Sequence, residues 1–132
     1  MQASKIERAM FNVATDDLSD VRDFYTRLLP FIPIYESDWY VVLVPEDGPR
    51  FELGIIRRST DVTPLGATRP PGGGYLTFVV NEVLVVFEKA KAMNAEIVEP
   101  PVDLFYGQRR MLLRDPAGTI VDISSPSPKL AA

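Results

Sequence analysis

Short apolar runs alternate along this chain with two longer stretches in which apolar residues recur every three or four positions. Residues 8–14, RAMFNVA, read as a strand that ends in the polar turn Thr15-Asp16-Asp17. In LSDVRDFYTRLL, Leu18, Val21, Tyr25 and Leu28 form one stripe, and Phe24 and Leu29 widen it. That spacing predicts a helix with a single buried face. Asp16 or Asp17 is placed to cap its start, and Pro30 to end it. Three strands are expected next, at 32–37, 39–45 and 51–57, with the turn signal EDGPR at 46–50 between the last two.

Residues 58–74, RSTDVTPLGATRPPGGG, carry no apolar period and are rich in proline, glycine and threonine, as a linker is. The pattern then restarts. Residues 75–80, YLTFVV, read as a strand. Asn81 is a candidate cap for a helix in which Val83, Val86, Phe87, Ala90 and Met93 make the buried stripe. Asn94 suits a left-handed stop. Strands are expected at 95–100, 106–114 and 119–124, with DPAG at 115–118 turning the chain between the last two. The order is βαβββ, linker, βαβββ: a module at 8–57, the linker at 58–74 and a second module at 75–126. One such module cannot bury both its sheet and its helix. Two can share a core, and the pair predicts an α+β domain, residues 1–132, whose curved mixed sheets form a half-barrel around a groove.

Composition narrows the function. A 132-residue chain that is 46% hydrophobic suits one packed domain. It has no cysteine, which excludes disulfides, thiolate metal sites and a cysteine nucleophile. It has no histidine either, which excludes serine–histidine triads and HExxH zinc sites. The net charge of −4 comes without any basic cluster beyond Arg57-Arg58 and Arg109-Arg110, so no nucleic-acid partner is expected. The opening MQASKIERAM has no signal-peptide core, and no apolar run reaches the ~20 residues of a membrane span. A cytoplasmic protein with no membrane partner is the expectation.

Four stretches, taken together, resemble the glyoxalase, bleomycin-resistance and dioxygenase superfamily, also called vicinal oxygen chelate proteins. DDLSDVRDFYTRLLPF is similar to the opening signature of that family, with Pro30 where glycine is usual. GGGYLTFVVNEV is similar to its second-half strand entry, and AKAMNAEIVEPP to its helix exit, with Asn94 in place of glycine. YGQRRMLLRDPAGTIVDI is similar to its closing motif. The likeness spans residues 8–126. It implies a half-barrel fold and, in metal-dependent members, one ligand on the first and one on the last strand of each half. Those places fall on Met10, Glu52, Tyr75 and Asp122. A thioether, a phenol and two carboxylates are a mismatched donor set, so no cofactor is expected; a divalent metal held by Glu52 and Asp122 is the alternative.

The candidate ligand-binding residues are Met10, Asn12, Trp39, Glu52, Tyr75, Gln108, Arg110 and Asp122. Glu52 and Asp122 either converge in the groove, to take a cationic or hydroxyl-bearing ligand or to act as acid and base, or each pairs with a nearby arginine or faces solvent. Met10 and Tyr75 are groove wall or core filler. Asn12 shares the face of Met10. Trp39 and Tyr40, adjacent on a strand, would point to opposite faces, so that one of them reaches the groove. Gln108 and Arg110 share one strand face with Arg109 opposite, and Arg110 either binds a ligand carboxylate or neutralises Asp122. The run VLVVF is broader than one buried face needs, so Leu84 or Val85 is left for solvent or for a second subunit, which predicts a homodimer. The expected function is metal-free binding of a small molecule, such as sequestration of a drug or metabolite. The alternatives are a lyase, isomerase or dioxygenase with an atypical metal site, and a domain kept for protein contacts.

Overall fold

The computed structural model describes residues 4–127, so the first three residues of the opening segment lie outside it. The first half is β1 (Met10–Thr15), α1 (Leu18–Leu28), β2 (Phe31–Glu36), β3 (Tyr40–Pro45) and β4 (Glu52–Arg57). The second is β5 (Leu76–Val79), α2 (Val83–Ala92), β6 (Glu96–Asp103), β7 (Gln108–Arg114) and β8 (Ile120–Pro126). Each half makes a four-stranded mixed sheet of the same order, β1-β4-β3-β2 and β5-β8-β7-β6. In each, the first strand runs parallel to the last and the other pairs are antiparallel. The helix carries the chain from the first strand to the far edge of the sheet, and two antiparallel turns then bring the last strand back beside the first. This is the α+β architecture of two βαβββ modules that the two hydrophobic periods predict, with open sheets and no closed barrel.

Alternation decides what each sheet buries. Leu43, Leu53 and Ile55 of the first sheet are fully inside, as are Met111, Leu113, Val121 and Ile123 of the second. They join Val21, Tyr25 and Leu28 of α1 and Val83, Val86 and Ala90 of α2 in one cluster. The two helices therefore lie with the inner faces of both sheets around a single core. Phe78 of the second module makes edge-to-face pairs with Phe31 (5.6 Å between centroids) and Phe51 (5.8 Å) of the first, and Phe31 in turn pairs with Tyr25 (6.2 Å) within its own module. Each such pair adds roughly 0.5–1.5 kcal/mol beyond its area.

Local chemistry accounts for the element ends. Asp17 accepts the backbone N–H of Asp20 at 3.1 Å and caps α1, and the chain leaves the helix at Leu29, before Pro30. The start of α2 differs from expectation. Its cap residue is Glu82, not Asn81, and its first N–H, from Val83, is satisfied by Ser125 Oγ of β8 at 3.1 Å. Asn94 takes the left-handed conformation at φ 56°. Strand β6 runs on through Pro100-Pro101 to Asp103, past the predicted end at 100. Proline is tolerated there because β6 is an edge strand, where a missing N–H need not break a ladder. The linker is not featureless. Thr63 is buried and donates to the carbonyl of Arg57 at 2.7 Å, and residues Leu65–Thr68 make one 3-10 turn. Among the described residues no helix is long and apolar enough to cross a membrane.

Candidate functional site

With Leu53 and Ile55 turned inward, Glu52 and Gly54 face outward, away from the helices. The parallel register sets Met10 beside Glu52 and Asn12 beside Gly54. Tyr40 reaches the same face from β3, and its hydroxyl donates to Asn12 Oδ1 at 3.0 Å and lies 3.7 Å from Met10 Sδ. Gly54 makes this possible. A Cβ at that position would stand 1.9 Å from Asn12 Oδ1 and 2.9 Å from the Tyr40 hydroxyl. Burial raises the Tyr40 phenol above its ordinary value, and Glu52 pushes the same way while Arg8 opposes.

Arg8 occupies the carboxylate of Glu52. Its Nε lies 2.8 Å from Oε2 and its Nη2 2.5 Å from Oε1, a bidentate pair. The hydrogen bonds from Arg8, then its charge, hold the Glu52 carboxyl below its ordinary value. Of the alternatives open for Glu52 from sequence, pairing with an arginine is the one observed. Nearby, Trp39 and Tyr40 stack with centroids 5.3 Å apart and planes 21° apart, and Tyr35 lies 6.1 Å from Tyr40. The expectation that Trp39 and Tyr40 point to opposite faces therefore fails. Trp39 sits in the turn before β3, where Ser37 Oγ accepts the Tyr40 N–H, so strand alternation does not apply to it.

On the second sheet Asp122 lies between Val121 and Ile123, both fully buried and inward, and so faces outward while only 8% exposed. Its register partner is Thr77, whose Oγ1 donates to Asp122 Oδ2 at 3.2 Å. Thr77, not Tyr75, thus stands in the second half where Met10 stands in the first. Tyr75 precedes β5 and is 61% exposed. The signal that finds Thr77 is register: Met10 opposes Glu52 as Thr77 opposes Asp122. Burial raises the Asp122 carboxyl above its ordinary value, against the Thr77 hydrogen bond and the charge of Arg110. Gln108 and Arg110 share this outer face, paired with Pro126 and Ser124 of β8. Arg110 Nη2 contacts Glu99 at 3.3 Å, and Arg109 pairs with Asp103 at 2.7 Å.

Within one chain the two carboxylates do not meet. The cleft beside Glu52, about 730 Å³, is lined by Arg8, Ile34, Val44, Phe51 and other first-half residues and contains none from the second sheet. Met10, Asn12 and Glu52 lie together on the outer face of the first sheet, beside the stacked Trp39 and Tyr40, and Gln108, Arg110 and Asp122 lie together on that of the second. The donors present do not fit a metal. Glu52 is held at both oxygens by a guanidinium, and Met10 and Thr77 offer a thioether and a neutral hydroxyl. Among the described residues no three His, Cys, Asp or Glu side chains come together.

The family profile of the Glyoxalase/Bleomycin resistance protein/Dioxygenase superfamily matches residues 6–123. The chain belongs to that superfamily. A search of curated proteins found no significant match. Among solved structures, the chain is similar to a family enzyme from Burkholderia phytofirmans PsJN, with TM-score 0.74, 21% identity and coverage of 89% of this chain and 96% of that one. It is similar to a glyoxalase-related enzyme from Fulvimarina pelagi at TM-score 0.75 and 17% identity, over 91% and 88% of the two chains. A virulence protein from Salmonella typhimurium aligns at TM-score 0.69 and 23% identity, over 93% and 99%. At these identities the likeness concerns the fold.

Proposed function

We propose that this protein is a metal-independent small-molecule binder of the superfamily, of the sequestering kind that bleomycin-resistance proteins represent. The observation that carries this is the bidentate Arg8–Glu52 pair. The guanidinium already supplies the positive charge that a metal would bring to this station, and both carboxylate oxygens are taken. The stacked Trp39 and Tyr40, with Tyr35 and the adaptable thioether of Met10, suit a flat ligand. A homodimer completes the groove by setting the outer face of one chain's first sheet opposite the second sheet of its partner. Two features support it: β1 and β5 are edge strands with one side unpaired, and apolar side chains such as Ile34, Val79 and Val102 are exposed on these sheets. The absence of cysteine suits the reducing cytoplasm.

The test is calorimetry with neutral and cationic aromatic compounds, beside elemental analysis of the purified, dialysed protein. Saturable heat from metal-free protein is expected. A stoichiometric metal that is lost on Glu52→Gln would overturn the reading in favour of a lyase, isomerase or dioxygenase.

A further inference from the structure

Among the described residues four buried side-chain polar atoms have no hydrogen-bond partner, and three of them lie on the outer face of the second sheet: Gln108 Oε1, Arg110 Nε and Asp122 Oδ1. Folded proteins leave few such atoms, because each has given up water for nothing. Their placement is ordered. Gln108 and Arg110 are two residues apart on β7, so both face the same way, and Asp122 stands on the adjacent strand opposite Leu112, two residues further along that face. Asp122 is 8% exposed, and its other oxygen is already taken by Thr77. Arg110 has its Nη2 engaged by Glu99, so the Nε–H is left to point elsewhere.

We infer that this face reads a neutral carboxamide-type group, one carrying a carbonyl oxygen beside an N–H, on the ligand of the proposed binding function. The carbonyl accepts from Arg110 Nε, and the N–H donates to Asp122 Oδ1. Gln108 Oε1 takes a further donor about 7 Å along the strand, the span of two residues. A carboxylate in the same place has only acceptors and meets the Asp122 charge. An amidinium has only donors, leaves Arg110 Nε unmatched and sets a second positive charge beside that guanidinium. Sites built on paired donors and acceptors reject such isosteres strongly, because their own buried groups are then left bare.

This inference rests on the proposed binding function, and one isosteric series separates the two. 2-Naphthamide, 2-naphthoate and 2-naphthamidinium share a shape and differ only in hydrogen-bonding sense and charge. Each is titrated into the full chain with two readouts: Trp39 fluorescence for ring stacking, and the NMR signals of the Arg110 Nε–H and Gln108 side chain for the head group. The amide is expected to bind at least about tenfold more tightly than either ion and to shift both NMR signals. Asp122→Asn, which keeps an acceptor and adds a donor, is expected to strengthen naphthoate binding toward that of the amide, a gain that a misfolded variant does not give. Equal affinities, or an ion binding tightest, overturn the head-group inference while quenching of Trp39 leaves the binding function standing. No response to any of the three overturns the inference as well.

Discussion

The phenol of Tyr25, on the first helix, donates a 2.5 Å hydrogen bond to Asp115 Oδ2, at the turn between the last two strands. Ninety positions of sequence separate the two residues. The other oxygen of Asp115 accepts the backbone N–H groups of Ala117 and Thr119, each at 2.9 Å. One 3% exposed carboxylate thus shapes the DPAG turn and ties it to the helix of the other module. Burial, then the charge of Asp115 and the hydrogen bond to it, raises the Tyr25 phenol well above its ordinary value, so it stays a donor at any physiological pH. Tyr25→Phe is expected to cost about 1–3 kcal/mol, the penalty for leaving a buried acceptor short. Asp115→Ala should cost more than Asp115→Asn, which retains a carbonyl for the two backbone donors. Urea unfolding monitored by circular dichroism measures all three; equal losses for Ala and Asn would remove the turn-forming role.

Asp122 sets a second expectation, in pH. Its carboxyl is raised above the ordinary value of 3.8, chiefly by burial. A raised acid binds its proton more tightly in the folded chain than in the unfolded one, so in the window just above 3.8 the folded state carries more protons. Stability from this group therefore falls as pH rises through that window. It is fully present below 3.8 and absent above the raised value. Asp122→Asn removes the titration. The variant should gain on the wild type as pH climbs from the acid side of the window to its upper end, then hold a constant difference. Denaturant midpoints across the acid range follow this directly, and a difference that is flat throughout would contradict the shift.

Gly54 leaves room for a bond between two other residues. An added methyl at that position displaces the Asn12 side chain, since the space is already filled by Asn12 Oδ1 and the Tyr40 hydroxyl. Gly54→Ala is expected to fold, because a side chain rather than backbone must give way, at a cost of about 1 kcal/mol for the lost hydrogen bond. In an Asn12→Ala background the methyl meets less, so the same substitution should cost less. A double-mutant cycle reads the coupling, expected at roughly 0.5–3 kcal/mol for residues in contact. Additivity would mean that the Asn12–Tyr40 bond contributes nothing that Gly54 protects.

The sequence carried the order of the elements well, because each period is local: α1 and the alternating strands need only their own residues to declare a buried face. It carried less of the sites, because their relationships are distant. Arg8 and Glu52 lie 44 positions apart and become partners only through the parallel β1–β4 register. The same logic, applied to β5 and β8, moves the second-half station from Tyr75 to Thr77. Alternation misled at Trp39 because a serine-stabilised turn, not a strand, holds that residue. The capping of α2 was invisible for a similar reason. Its partner, Ser125, is 42 residues downstream on another element.

The two exposed apolar regions predict different dimers, and a pair of charge substitutions separates them. Helix α2 exposes Leu84 by 46% and Val85 by 53%, the two residues that the broad VLVVF run leaves for solvent or for a second subunit. The proposed groove instead requires contact at the unpaired edge of β5, where Val79 is 68% exposed on the face of Thr77. A glutamate buried without a partner opposes association strongly, while the same residue left in water costs little. Val79→Glu is therefore expected to weaken dimerisation at least about tenfold and bring the sedimenting mass to the 14.7 kDa of one chain. Val85→Glu should leave the dimer mass unchanged. The reverse pattern would place the interface on α2 and remove the proposed groove.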